Sequence, residues 1–134
     1  MQTFLPYPNF HKSLSCLDYK RLGKQRSETF IILKNITGNP DGWRNHPAVK
    51  MWMGYPDALK LYLNMSIKLW VERGYNNSMK FQMPDFSTRI ELPSWFGDER
   101  FHRAHRQALL FKDYEYYRHF FPNDVPKIEY YWPV

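Results

Sequence analysis

A chain of 134 residues with a formal net charge of +6, 19% aromatic residues and one cysteine has the size of one domain, spanning residues 1–134. It can bury about two-thirds of its unfolded surface, and Cys16 has no second cysteine to pair with, which excludes a disulfide-stapled secreted scaffold. The start "MQTFLPYPNF" has no basic n-region or apolar h-region, and no stretch approaches the roughly 18 apolar residues of a membrane span, so the sequence predicts a soluble, cytoplasmic protein.

Residues 1–11, with Pro6 and Pro8, read as an extended arm. Ser13 or Ser15 can cap a helix that runs to about Asn35, with Gly38 as its stop. Gly23 lies inside that helix, where it costs about 1 kcal/mol relative to Ala. "TGNPDGWRNHP" is a loop dense in turn residues, and "PAVKMW" is a short helix with Pro47 at its first position. The strongest helix is "PDALKLYLNMSIKLWVERG", opened by Pro56 and Asp57 and closed by Arg73 and Gly74. Leu59, Tyr62, Leu63, Ile67 and Trp70, extended by Leu61, Met65 and Leu69, give it a face wide enough to be buried on most sides. Residues 75–97 lack periodicity and read as loop. A further helix starts at Asp98–Glu99 and runs to about Lys112, with Phe101, Ala104, Ala108 and Phe111 as its apolar side. The aromatics of Tyr114–Phe121 and Tyr130–Trp132 would form an exposed patch unless the tail wraps the helices. No segment alternates as a strand does. The prediction is an all-α, compact, non-bundle helical domain with long ordered loops.

Three concentrations of polar residues interrupt this pattern. In "LDYKRLGKQRSE", Leu22, Thr29, Leu33 and Ile36 make a stripe that contains Arg26, with Asp18 and Gln25 at its edge, while Lys20, Lys24 and Lys34 face away. A guanidinium on a buried face must be paired or must face a cavity. Either Arg26 sits in an ion-pair network with Asp18 or Glu28, or this helix borders a polar cleft in which Arg26 holds an anion and Lys20 and Lys24 meet phosphates. In the last helix His102 and His105 share a face, with Arg106 beside them. They read as core or capping histidines or as hydrogen-bonding groups in a cleft. Zinc, with His46 or a carboxylate as third ligand, is a weaker reading because no second ligand pair exists and Cys16 is isolated, so no metal or cofactor is expected. In the loop, Trp43, Arg44, Asn45 and His46 precede a helix start, where backbone N–H groups favour anions. Trp43 and Trp52 are able to stack on an unpaired base, or Asn45 or His46 simply caps the helix and Trp43 belongs to the core. Phosphate-loop, nucleophile-elbow and deaminase motifs are absent.

The order of these motifs resembles that of the small all-α pyrimidine-dimer DNA glycosylases of the endonuclease V type. Over essentially its whole length the chain is similar to a branch of small bacterial and phage proteins grouped with them, on "MQTFLPY", "RLGKQR", "GWRNHPAVKMW" and the ending "YYWPV". "DYKRLGKQR" resembles the first-helix segment of the repair enzymes, and "HPAVKMW" with the long helix ending in "ERGYN" resembles their central stretch. The resemblance implies attack by a free N-terminal α-amine on C1′ of the damaged nucleotide, release of the base through a Schiff base, help from a first-helix glutamate, and strand cleavage by β-elimination. An α-amine suits this work because its ordinary pKa is about 8. Lys20 and Lys24 fall on the family's phosphate-binding positions. Arg21 stands where the glutamate belongs, the nearest carboxylates being Asp18 and Glu28. Gln2 follows Met1 where the family has a small residue.

The sequence therefore predicts a DNA glycosylase/AP-lyase type of protein acting on damaged or modified bases in double-stranded DNA. Its catalytic candidates are Met1, Gln2, Asp18, Arg21, Arg26, Glu28 and His46. Its DNA contacts are Lys20, Lys24, Gln25, Trp43, Arg44, Asn45, His102, His105 and Arg106. The alternatives are a non-catalytic nucleic-acid-binding module, or an enzyme on a small nucleotide-like anion using the same Arg/His cleft. No protein partner is implied.

Overall fold

Six helices and no strand make up the regular structure of the described residues, which are 1–38 and 42–134 of a computed structural model. Asn39, Pro40 and Asp41 of the turn-rich loop lie outside the described residues. The fold is all-α, as the sequence predicts.

The first predicted helix is in fact two. α1 spans Phe10–Ser15 and is capped by Asn9, whose Oδ1 accepts from Lys12 N–H at 2.7 Å. α2 spans Tyr19–Ile36. The break arises at Asp18, whose backbone N–H donates to the Tyr117 hydroxyl at 3.0 Å instead of continuing the helix. That partner is 99 residues away and leaves no trace in the local pattern. The bend lets Leu14, Cys16 and Leu17 all enter the core.

His46 caps α3 (Pro47–Lys50) through its Nδ1, which accepts from Ala48 N–H at 3.0 Å. α4 (Pro56–Glu72) buries Leu59, Tyr62, Leu63, Ile67 and Trp70, the face its periodicity marks. It packs chiefly on α2. Gly23 allows that approach, because a Cβ there would stand 3.0 Å from the Trp70 ring. α5 (Glu99–Lys112) starts at Asp98, whose carboxylate accepts from Arg100 N–H at 3.0 Å. Its buried side holds Phe101, Ala104 and Ala108 as expected, but Phe111 is exposed, and Leu109 and Leu110 are buried where α6 (Tyr114–Tyr117) packs against α5.

Residues 75–97 have no regular structure, yet they are fastened. Asn64 forms two bonds with the Gln82 backbone, at 2.7 and 2.8 Å, much as a strand neighbour would. The tail wraps the helices only in part: Tyr117 and Phe121 are buried and Tyr130–Trp132 partly buried, while Tyr114, Tyr116 and Phe120 stay exposed. No helix of the described residues is long and apolar enough to cross a membrane.

Candidate active site

The site is built around the N-terminal arm, which runs through the interior without a strand beside it. Buried backbone groups must find partners, and here side chains supply them. Phe4 N–H donates to Gln25 Oε1 at 2.9 Å, and the Tyr62 hydroxyl lies 2.8 Å from the Phe4 carbonyl and 2.7 Å from Gln25 Oε1. Leu5 is held at both ends of its peptide, its N–H by His105 Nδ1 at 2.8 Å and its carbonyl by His102 Nδ1 at 2.7 Å. Arg106 donates to the Pro6 carbonyl at 3.0 Å, and Trp52 Nε1 donates to Thr3 Oγ1 at 3.0 Å. The arm is thus clamped between α2, α4 and α5, with residues 1 and 2 delivered to the N-terminal half of α2.

There a cleft of about 390 Å³ opens, a volume in the usual range for ligand pockets. Met1, Gln2 and Phe4 of the arm form one side and Lys20, Arg21, Lys24, Gln25 and Glu28 of α2 the other, with Lys112 and Tyr130 completing it. Steps of three and four residues place the five α2 side chains on one helical face. Glu28 is the carboxylate of the group, and its Oε2 accepts from the backbone N–H of Gln2 at 3.1 Å. Four cations, Lys20, Arg21, Lys24 and Lys112, line the same cleft.

Arg21 is fixed by Asp18, Nη1 to Oδ1 at 3.1 Å, and the Tyr117 hydroxyl also donates to Asp18. Burial opposes the charge on Asp18, but the bonds from Tyr117 and Arg21 outweigh it and hold the carboxyl below its ordinary pKa. Asp18 is not itself in the cleft wall. Burial raises the pKa of Tyr130, with Arg21 opposing and Glu28 reinforcing. His46 feels the same charges: burial lowers its pKa, the N-terminal ammonium lowers it further, and Glu28 acts the other way. Its ring is edge-on to Trp43 and to Trp132. Trp43, Arg44 and Asn45 are exposed beside it.

The remaining candidates from the sequence lie elsewhere. Arg26 points to the opposite flank of α2, where its guanidinium lies 4.3 Å over the Trp70 ring and Nη1 donates to Asn77 Oδ1 at 2.6 Å. Aromatic stacking and one amide oxygen offset much of the cost of this cation on the apolar stripe, although its Nε is buried with no hydrogen-bond partner. Arg106 is held by Asp124 at 2.8 Å and by Glu99 while it grips the arm. His102 is occupied at both nitrogens, since Gly97 N–H donates to its Nε2 at 3.0 Å. Among the described residues no cluster of three or more His, Cys, Asp or Glu is arranged to hold a metal. Phe4, Lys112 and Tyr130 join the cleft without being candidates from the sequence. Lys112 is an ordinary helix-end lysine and Tyr130 one of many tail aromatics, so neither carries a local signal.

The histidine clamp has a measurable pH dependence. Burial, reinforced by the charge of His102, lowers the His105 pKa from 6.5 to about 3, and burial lowers that of His102. The unfolded chain then binds more protons than the folded one below about pH 6.5, so stability falls as pH falls through that window. His46 contributes in the same direction, whereas Asp18 acts only below the ordinary carboxylate range. The melting temperature is expected to be lower at pH 5 than at pH 7. The difference should shrink in His105→Gln, measured by thermal melts at both values.

A family model described as pyrimidine dimer DNA glycosylase matches residues 1–83, which hold the arm, α1 to α4 and most of the cleft wall. No curated protein and no solved structure matches the chain.

Proposed function

The chain belongs to the pyrimidine dimer DNA glycosylase family, a DNA-repair glycosylase type with DNA as substrate, and from that premise we propose an amine-based glycosylase/AP lyase acting on damaged duplex DNA. The observation that carries this reading is the contact between Glu28 and the backbone N–H of Gln2 in a cleft lined by four cations. The α-amine at the head of the arm is the nucleophile. Its lone pair bonds to C1′, and the electron pair of the glycosidic bond leaves with the base, which departs protonated. The attached nitrogen loses a proton and the C1′–O4′ bond opens as O4′ gains one, which leaves a protonated imine; that imine loses a 2′ proton and expels the 3′ phosphate. Glu28 serves these proton transfers, being the carboxylate next to the amine end of the arm. Lys20, Arg21, Lys24 and Lys112 hold phosphates around the extruded nucleotide. Asp18 acts through Arg21 as a positioning residue, and His46 keeps a neutral imidazole near the amine.

Borohydride reduction tests the imine. With abasic or ultraviolet-irradiated duplex, a covalent protein–DNA adduct is expected, and peptide mapping should place it on the N-terminal residue. Duplex binding without any adduct would reject the amine mechanism and favour a non-catalytic binding module.

A further inference from the structure

Two carboxamides in the cleft wall have been fixed in the same sense. Gln2 Oε1 accepts from Thr3 N–H at 2.9 Å. Gln25 Oε1 accepts from Phe4 N–H at 2.9 Å and lies 2.7 Å from the Tyr62 hydroxyl. A backbone N–H can bond only to the oxygen of an amide, so neither side chain is free to flip. Both oxygens are therefore turned toward the arm, and the hydrogen-bonding group each amide still has to offer a ligand is its NH₂. Gln2 is 5% exposed and Gln25 1%, and Gln2 Nε2 is buried with no partner in the protein. A buried donor without an acceptor is costly, and a ligand that supplies one recovers that cost.

We propose that Gln2 and Gln25 are specificity-determining residues, a pair of neutral donors that accept into the cleft a base edge bearing carbonyl oxygens and disfavour one bearing an exocyclic amine. The rim cations suit phosphate; buried neutral amides suit neutral carbonyls. A lesion made of thymine presents O2 and O4 as acceptors. A cytosine in its place puts the N4 amine, a donor, against a donor. The inference rests on the glycosylase reading above and names the base that site would take.

The test uses three duplexes of one sequence, carrying a thymine–thymine cyclobutane dimer, the same dimer with cytosine as its 5′ base, or an abasic site. Wild-type protein is expected to process the thymine dimer at least about tenfold faster than the cytosine-containing one. Gln2→Glu keeps an oxygen for Thr3 N–H and replaces the donor by an acceptor, so it should reduce that ratio, with rates normalised to cleavage of the abasic duplex. Equal wild-type rates on the two dimers would overturn the proposal, as would an unchanged ratio in both Gln2→Glu and Gln25→Glu once circular dichroism shows them folded. If the abasic duplex is not cut at all, the amine mechanism has failed, not this inference. Equilibrium binding of the two dimer duplexes at one salt concentration then decides it by the same tenfold criterion.

Discussion

Glu28→Gln is expected to slow single-turnover strand cleavage by roughly 10²–10⁴-fold, the usual cost of losing a positioned acid–base group. The substitution preserves the shape of the side chain and an oxygen for Gln2 N–H, so the arm should stay in place. What it removes is the ability to take and return a proton beside the amine. Because an anion has left a cleft lined by Lys20, Arg21, Lys24 and Lys112, affinity for DNA should hold or rise. Asp18→Asn provides the contrast. Its carboxylate orients Arg21 and bonds Tyr117 without lining the cleft, so its loss should be smaller and should fall on binding as well as rate. Measuring single-turnover rates with enzyme in excess, and affinities separately, tells these apart. If Glu28→Gln stays close to wild type while Asp18→Asn is inactive, the acid–base role belongs to another group.

The second large effect concerns the lysines. Lys20 and Lys24 are exposed and one turn apart on the cleft face of α2. Replacing both by Ala is expected to weaken duplex binding and to reduce the slope of log affinity against log salt by about 2, one for each phosphate no longer neutralised. Stability should barely change, since surface substitutions of this kind stay within about 0.5 kcal/mol. Lys68→Ala is the matched control. That lysine is also exposed, lies 3.9 Å from Glu72 on α4 and does not line the cleft. An unaltered salt slope in the double variant would place the DNA on another face.

The sequence disclosed what is set locally. α4 is legible because its apolar residues recur at helical spacing between Pro56 and Gly74, and α3 and α5 because Pro47 and Asp98 mark their starts. The cleft face of α2 is half legible. On a helical wheel Lys20 and Lys24 face away from the apolar stripe, and that outward face is the one that meets the arm. Arg26 draws attention for a sound reason, since a guanidinium on an apolar stripe needs an explanation. The explanation is the Trp70 ring and Asn77, and the stripe gives no hint of either. The break at Asp18 and the clamp on Leu5 depend on Tyr117, His102 and His105, about a hundred residues away, and no helical wheel contains such contacts. For the same reason Glu28 looks like a flank residue, although it stands next to Gln2 across 26 positions of chain.

The clamp also orders events in time. Thr3, Phe4 and Leu5 precede every helix in chain order, yet the groups that secure Leu5 come from α5, about a hundred residues further on. The seat for Leu5 does not exist until α5 has formed, so these contacts close a loop of about a hundred residues. Loop-closure entropy must be met before such distant contacts repay it, so the arm is expected to settle late in folding, after α2 and α4 have packed together.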